Sequence, residues 1–278
     1  ADFYFSGISF CNASKGEGLF NKIFLKSQSR NYRSFQYRKL REAKILQSSK
    51  AIIGRTEWDK RVSSILAPSA TYFTNNEIIR DVFYKQNWSK ERGEVFKIVT
   101  TSSDSLYKGF ELIVKTSLKL KQLDKIKFEW YVIGLSESST IVRIVKKIIT
   151  NNFRNCNIVL IGKKNEDEII DLLLKCDVYC QVSHIENSPN SLCEAMLLGM
   201  PIISTFAGGT TSLISESEGF IVQTGDSYAL AGAIIECFDD YDKAKVYAIN
   251  AKEKSTKRHN TDKIVSELLH IYQTLSLS

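Results

Sequence analysis

The sequence lacks a long apolar run, internal repeats and a dinucleotide-binding glycine motif. No apolar stretch approaches the ~20 residues that a membrane-spanning helix needs. The first residues show no basic segment followed by a long apolar one, so we expect no signal peptide. No Gly-x-Gly-x-x-Gly stands at a predicted strand–helix turn, which disfavours nicotinamide binding. An ordinary globular protein is the remaining expectation.

Disulfide and metal patterns are missing as well. The six cysteines form no Cys-x-x-Cys pair. The three histidines, His184, His259 and His270, do not cluster with cysteines at the spacing of zinc ligands. We therefore expect free buried thiols in a reducing cytoplasm and no zinc site.

Charge is unevenly distributed along the chain. Of the 278 residues 43% are apolar and 25% are charged, which suits two modest domains or one large one. The net charge is +7, and residues 22–44 hold eight Lys or Arg against the single acid Glu42. Three interpretations of this segment stay open: a solvated basic helix, an anionic membrane surface or lipid-diphosphate acceptor, and nucleic acid. Nucleic acid is disfavoured because no recognition motif accompanies the segment.

Short apolar strands alternate with amphipathic helices from residue 96 to residue 275. Strands are predicted at 96–101, 128–134, 157–162, 177–182, 201–205 and 219–223. Helices are predicted near 108–122, 138–150, 165–175, 189–198, 226–238, 240–254 and 261–275. Strands that are apolar throughout fit a parallel sheet covered on both faces, and the alternation predicts a doubly wound, Rossmann-like α/β domain.

The residues before position 96 form a different group. A basic helix precedes a strand at 51–54, a helix opened by 55–59, a strand near 70–73 and a helix that follows Asn75-Asn76 and runs to about Tyr84. The polar segment 85–94 is the expected linker. We therefore divide the chain into a partial N-terminal α/β domain (1–90), a Rossmann-like domain (91–260) and a C-terminal helix (261–278) that packs back toward the N-terminal part.

The segment from Glu186 to Glu194 places two carboxylates around a helix start, just beyond an apolar strand. Ser188 is the expected N-cap, Pro189 the first helical residue and Gly199 the end of the helix. The free amides of the first turn are those of Asn190, Ser191 and Leu192. A helix start binds anions, and flanking acids suit a ligand with a diphosphate and many hydroxyls, which is a nucleotide-sugar.

The spacing Glu186-x7-Glu194, the following Ala-Met-Leu-Leu-Gly-Met-Pro-Ile-Ile and then Gly208-Gly209 resemble the donor-site signature of family 4 glycosyltransferases. The similarity covers roughly residues 50–275. It implies the two-domain GT-B fold and sugar transfer with retention of configuration. It also implies that the residues before Phe96 are too few for a complete N-terminal half.

The resemblance implies roles for single residues. Glu186 contacts hydroxyls of the donor sugar and is the candidate catalytic residue. Glu194 accepts hydrogen bonds from the ribose, and Lys108, after the first strand of the domain, binds the donor diphosphate. The other implied donor-site residues are Asn190, Ser191, Leu192, Gly208 and Gly209 around the diphosphate and sugar, and Gly162 and Lys163 at the nucleobase.

The chain departs from the family pattern in several places. Ser102 and Ser103 stand where an assisting arginine is common, and Ser212 stands where an acid is common. The family's early glycine loop and N-terminal histidine have no counterpart in residues 1–33. Asp240-Tyr-Asp242 matches a metal motif of another glycosyltransferase fold, but it lies in a late helical segment, so we expect solvated acids and no required metal.

We expect a retaining, metal-independent glycosyltransferase that moves a sugar from a UDP- or GDP-sugar to a hydroxyl acceptor. The acceptor is a saccharide or a lipid-linked group in polysaccharide or glycolipid biosynthesis. Front-face displacement, in which the leaving diphosphate helps to deprotonate the acceptor, is the implied mechanism. The membrane interpretation of residues 22–44 places the enzyme at the inner face of the membrane. Two alternatives stay open: a nucleotide-sugar-binding module that is inactive without the missing N-terminal half, and a nucleotide-sugar epimerase of similar fold.

Overall fold

The computed structural model describes residue 34, residues 36–149 and residues 156–277. The chain divides into two compact units. One contains residues 1–75 and 271–278, and the other contains residues 76–270. No helix in the described part of the chain has the length and apolar character that crossing a membrane requires.

The described part of the first unit contains a short strand–helix–strand arrangement. Helix α1 spans 36–48. Strands β1 (Ala51–Gly54) and β2 (Thr71–Thr74) pair in parallel and are connected by helix α2 (Glu57–Leu66). Thr56 and Asp59 form the capping box that starts α2. Most of the basic segment 22–44 lies outside the described residues.

The second unit is built around a six-stranded parallel sheet with the strand order β5-β4-β3-β6-β7-β8. Its strands are β3 (Phe96–Thr101), β4 (Phe128–Ile133), β5 (Ile158–Gly162), β6 (Val178–Gln181), β7 (Ile202–Thr205) and β8 (Phe220–Val222). Its helices are α3 (Val82–Lys85), α4 (Phe110–Leu123), α5 (Thr140–Ile148), α6 (Glu166–Leu174), α7 (Asn190–Leu198), α8 (Ser227–Asp239), α9 (Tyr241–Arg258) and most of α10 (Thr261–Ser276). The predicted Rossmann-like α/β architecture is confirmed.

Both faces of this sheet are covered by helices, which explains why its strands are mostly apolar. On one face, Phe96 and Trp130 belong to a buried cluster that includes Phe110 of α4. On the other face, Tyr179 belongs to a buried cluster that includes Met196 of α7. The two clusters fix the helices against the sheet and so fix the loops that follow the strands.

Several local predictions are confirmed. Asn165 and Glu168 form the capping box that starts α6. Gly199 has a φ of +80° and ends α7. The five cysteines in the described part of the chain are buried free thiols.

Two predicted helix starts are wrong. Helix α7 begins at Asn190 with Pro189 as its N-cap, so Ser188 is not the cap and Pro189 is not the first helical residue. The Ser188 hydroxyl donates to the Glu77 carboxylate instead, which removes it from the helix amides. The helix predicted between residues 76 and 84 is reduced to the four residues of α3.

The segment predicted as a linker belongs to the second unit. The indole N–H of Trp88 donates to the Cys176 carbonyl at 2.8 Å, and Lys90 pairs with the buried Asp177. A large aromatic ring and a buried ion pair attach this segment to the sheet, although its composition is polar. The boundary between the two units therefore lies before residue 76 rather than at residue 90.

Candidate functional site

Three loops that carry predicted site residues meet at the carboxyl edge of the sheet. Lys108 follows β3, Glu186 follows β6 and Gly208-Gly209 follows β7, and these three strands are neighbours. The chain order reverses between β3 and β6, because β4 and β5 lie on one side and β7 and β8 on the other. Open α/β sheets bind ligands in the crevice at such a switch point.

The crevice contains an ion pair between Lys108 and Glu186. Lys108 Nζ lies 2.6 Å from Glu186 Oε1, and the two side chains are 21% and 10% exposed. Gln181, the last residue of β6, donates its amide to the same oxygen at 3.2 Å. The Glu186 carboxylate therefore accepts hydrogen bonds from two donors, and one of these is the cationic ammonium of Lys108.

Gly109 explains why the loops after β3 and β6 come so close. Its φ is +73°, and a Cβ on it would lie 2.1 Å from the carbonyl oxygen of Val182. Glycine tolerates both the left-handed backbone and this approach, whereas a side chain would clash. Nearby, the His184 N–H donates to the Tyr107 carbonyl at 2.7 Å. These contacts bring the Lys108 loop onto the loop that follows β6.

The glycine pair joins the loop after β6 from the other side. The Gly209 N–H donates to the Glu186 carbonyl at 2.9 Å, and Gly208 has a φ of +56°. The hydroxyl of Thr205, at the end of β7, donates to the Ser183 carbonyl at 2.7 Å. The structure thus brings Lys108, Glu186 and Gly209 together, while their roles toward a ligand remain predictions.

The first turn of α7 offers two amides rather than three. The N–H groups of Leu192 and Cys193 donate to the Pro189 carbonyl at 3.0 and 3.2 Å. The expectation of a free Leu192 amide is therefore wrong, and the Leu192 side chain is buried in the core. The N–H groups of Asn190 and Ser191 precede this first bonded amide. Amides in that position, together with the helix dipole, favour an anion.

Glu194 lies one turn into α7 and is bound by an arginine that sequence reasoning missed. Arg80 Nε and Nη2 lie 3.0 and 2.8 Å from Glu194 Oε1. Burial raises the pKa of Glu194, and the charge and hydrogen bond of Arg80 oppose that rise. Arg80 Nη1 also lies 3.9 Å from Glu166, so the guanidinium joins the first turn of α6 to α7.

The partners of this segment are far away in sequence. Arg80 and Glu194 are separated by 114 positions, and Glu77 and Ser188 by 111 positions. No local periodicity records such pairs. The sequence holds one hint, because Glu77 and Arg80 stand three residues apart. An acid and a base at that spacing are equally typical of a solvated helix.

The predicted nucleobase rim lies two strands away from the Lys108–Glu186 pair. Gly162 ends β5, the edge strand, with a φ of +75° and space for a Cβ. Its N–H donates to the Leu135 carbonyl at 2.8 Å. Lys163 follows it and is exposed. These residues share the carboxyl edge of the sheet with Lys108 without joining the central cluster.

The Asp240-x-Asp242 motif has a structural explanation. Asp240 is the N-cap of α9 and its carboxylate accepts the Lys243 N–H at 3.1 Å. The Asp242 side chain is 99% exposed in the first turn of the helix. Both acids sit where capping and the helix dipole favour them.

Asp104, beside the two serines that replace the expected arginine, also caps a helix. Its carboxylate accepts the N–H groups of Thr140 and Ile141 at 2.8 and 2.7 Å. Burial acts to raise the pKa of Asp104, but these hydrogen bonds outweigh it, so the pKa is lowered. The loop after β3 is thereby tied to the start of α5.

Known proteins resemble this chain over part of their length. The family model described as glycosyl transferases group 1 matches residues 85–254. N-acetyl-alpha-D-glucosaminyl L-malate synthase of Bacillus anthracis is 28% identical over 137 residues, which are 49% of this chain and 34% of that protein. The putative colanic acid biosynthesis glycosyltransferase WcaL of Salmonella typhimurium is 23% identical over 226 residues, 78% of this chain and 55% of that protein. The chain spans about a third to a half of the length of these curated relatives.

Solved structures resemble it in fold. Sucrose-phosphate synthase from Thermosynechococcus elongatus matches with a TM-score of 0.72 at 17% identity, over 85% of this chain and 61% of that chain. Anabaena HepE in complex with UDP matches with a TM-score of 0.65 at 20% identity, over 82% of this chain and 64% of that chain. The α/β fold with its six-stranded parallel sheet therefore matches that of GT-B glycosyltransferases.

Proposed function

Since this chain belongs to the family of glycosyl transferases group 1, we propose that it transfers a sugar from a nucleotide-sugar to a hydroxyl acceptor. The family model covers residues 85–254, which are more than half of the chain. Relatives named for colanic acid and capsular polysaccharide biosynthesis support a saccharide or lipid-linked acceptor. A HepE structure that contains UDP-glucose supports a nucleotide-sugar donor, either a UDP- or a GDP-sugar.

The observation that carries the proposal is the Lys108–Glu186 pair at the switch point of the sheet, with 2.6 Å between the two charged atoms. A donor diphosphate would compete with Glu186 for the ammonium of Lys108, because the diphosphate carries two negative charges and the carboxylate carries one. The amides of Asn190 and Ser191 would complete the anion site. Glu186, released from Lys108, would then accept hydrogen bonds from hydroxyls of the donor sugar.

Glu194 is the proposed acceptor for the ribose hydroxyls. Both short contacts of Arg80 are made to Glu194 Oε1, and we propose that Oε2 accepts from the ribose. Arg80 favours the ionised form that accepts hydrogen bonds. Gly208 would let the backbone approach the ligand, and Gly162 and Lys163 would border the nucleobase.

The proposed reaction retains configuration and needs no metal ion. The acceptor oxygen bonds to the anomeric carbon on the face from which the diphosphate leaves, and the acceptor proton passes to the leaving diphosphate. Lys108 and the helix amides stabilise the charge that develops there. A single preorganised donor of this kind contributes about 3–4 kcal/mol to the transition state. The family resemblance supports this mechanism. Lys108 would supply the positive charge at the leaving diphosphate that a metal ion supplies in metal-dependent glycosyltransferases.

The proposed acceptor side includes a membrane contact through residues 22–44. The eight cationic side chains of this segment, with aromatic residues between them, suit anionic lipid headgroups or a lipid diphosphate. Vesicle sedimentation with anionic and zwitterionic lipids measures this contact. Equal partition to both kinds of vesicle would contradict it.

Calorimetric titration with UDP, GDP and ADP tests the donor site. We expect UDP or GDP to bind, Lys108→Met to weaken that binding, and Asp242→Asn, a change at an exposed acid, to leave it unchanged. Absence of binding by all three nucleotides at millimolar concentration would remove the proposal. Loss of donor binding on chelation, restored by Mn²⁺ or Mg²⁺, would overturn metal independence. Incubation with a panel of nucleotide-sugars and saccharide acceptors then distinguishes transfer from binding alone.

A further inference from the structure

Three buried side chains of different chemistry converge beneath the start of α7. A carboxylate oxygen of Glu77, the Sγ of Cys193 and a ring nitrogen of His259 lie within 4.8 Å of one another. Glu77 is 7% exposed and His259 is fully buried. The three residues come from the segment before α3, the first turns of α7 and the C-cap of α9.

The spacing of these atoms suits a small tetrahedral cation. Cys193 Sγ and Glu77 Oε1 are 3.8 Å apart. Zinc bonds to sulfur and oxygen place two such ligands about 3.5 Å apart at a tetrahedral angle. Thiolate, imidazole and carboxylate are the three protein ligands that zinc accepts. One carboxylate and one thiolate would also balance the two positive charges of the ion.

The hydrogen bonds around the cluster orient its members as ligands. His259 Nδ1 lies 2.8 Å from the Glu77 carbonyl oxygen. A carbonyl can only accept, so Nδ1 carries the proton and Nε2 presents a lone pair. Ser188 donates its hydroxyl to Glu77 Oε1. A histidine bonded to a backbone carbonyl and a carboxylate bonded to a hydroxyl are the outer contacts that metal ligands commonly have.

We propose that Glu77, Cys193 and His259 bind a zinc ion. A water molecule would complete the tetrahedron. Binding takes the Cys193 thiolate and releases the thiol proton to solvent.

The ion would have a structural role. Glu77 lies three residues before Arg80, Cys193 adjoins Glu194, and His259 ends α9. A zinc ion shared by the three would link the segment before α3, the first turns of α7 and the end of α9. The site is independent of the proposed transfer chemistry, in which Lys108 rather than a metal faces the diphosphate.

The test uses the full chain as purified. Zinc is measured by inductively coupled plasma mass spectrometry after gel filtration, and Co²⁺ is then added to metal-free protein. Absorption by a cobalt–thiolate bond reports a cysteine ligand. We expect one zinc per chain, the cobalt–thiolate band, and a rise in melting temperature on zinc addition.

Two matched variants locate the site. Cys193→Ser should lose the zinc and the cobalt band, whereas Cys180→Ser, which removes another fully buried thiol, should keep both. Circular dichroism shows whether each variant is folded. If Cys193→Ser does not fold, the wild-type measurements decide alone. Wild-type protein that neither retains zinc nor gives the band overturns the proposal, and so does a band that persists in folded Cys193→Ser.

Discussion

Replacing Arg80 with methionine tests how the buried Glu194 carboxylate is held. Methionine removes the charge but keeps an apolar stem beside the Phe83 ring, whose centroid lies 4.8 Å from the guanidinium carbon. Removing one partner of a fully buried ion pair costs about 3–5 kcal/mol. The Arg80 side chain is 40% exposed, so water can reach Glu194 in the variant. We therefore expect a loss of about 1–2 kcal/mol in the free energy of unfolding near neutral pH.

This loss has a predicted pH dependence. Burial raises the pKa of Glu194 above its ordinary value of 4.5, and Arg80 limits the rise, so the variant has the higher pKa. A carboxyl with a raised pKa binds its proton more tightly in the folded state than in the unfolded chain. Its contribution to stability is complete below the unfolded pKa and is lost as the pH increases through the folded pKa. The part of the difference that comes from the ion pair should therefore vanish well below pH 4.5, where Glu194 is protonated in both proteins and both states.

Urea unfolding of wild type, Arg80→Met and Glu166→Gln at neutral and at acidic pH measures the effect. Glu166→Gln is the matched control, because it removes the looser contact of Arg80, at 3.9 Å on a partly exposed carboxylate. We expect a change within about 0.5 kcal/mol for this control. An Arg80→Met deficit of equal size at both pH values would refute the reasoning. A deficit of the same size in Glu166→Gln would show that the burial of Glu194 is not its cause.

Three further perturbations test other parts of the structure. Lys108→Met should lower turnover by a factor of about 10²–10³, because one donor to the leaving diphosphate is lost; unchanged kcat with any donor would contradict its role. Gly109→Ala should lower the melting temperature, since its Cβ would lie 2.1 Å from the Val182 carbonyl, whereas Gly232→Ala, in helix α8 with no neighbour within 4 Å, should raise it. Glu218→Gln should destabilise the protein at neutral pH. Burial opposes ionisation of Glu218, but hydrogen bonds from Ser215 and Lys254 lower its pKa from 4.5 to about 2, so the deficit should disappear as the pH falls through that range. Chemical denaturation at several pH values measures this deficit in the free energy of unfolding. A deficit that stays constant with pH would contradict this account.

The sheet could be predicted from the sequence because its signal is local. A run such as Ile158-Val-Leu-Ile161 is apolar at every position, and this pattern predicts a strand of a covered parallel sheet, although β5 is the edge strand and its Val159 is exposed. The six predicted strands of the second unit were therefore placed to within one or two residues. The capping box at Asn165 is similarly local, because its two partners are three residues apart.

The contacts that shape the site could not be predicted, because they join distant segments. Ser188 has the residue type and position of an N-cap, but its hydroxyl donates to the Glu77 carboxylate, 111 positions away. Helix α7 then starts with Pro189 as its cap. The cluster of Glu77, Cys193 and His259 is invisible for the same reason. The three residues have no metal-ligand spacing in sequence, and only the fold of the second unit brings them together.

The opposite pKa shifts of two acids agree with a structural role for Glu218 and with the ribose-binding role that we propose for Glu194. Burial acts to raise the pKa of Glu218, but hydrogen bonds outweigh it and lower the pKa, so ionised Glu218 stabilises the fold. Burial raises the pKa of Glu194 despite Arg80, so the ionised form of Glu194 weakens folding. Folding alone therefore gives no reason for a carboxylate at position 194. A ligand whose hydroxyls bind that carboxylate does supply one, because its binding energy offsets the desolvation that the free protein bears.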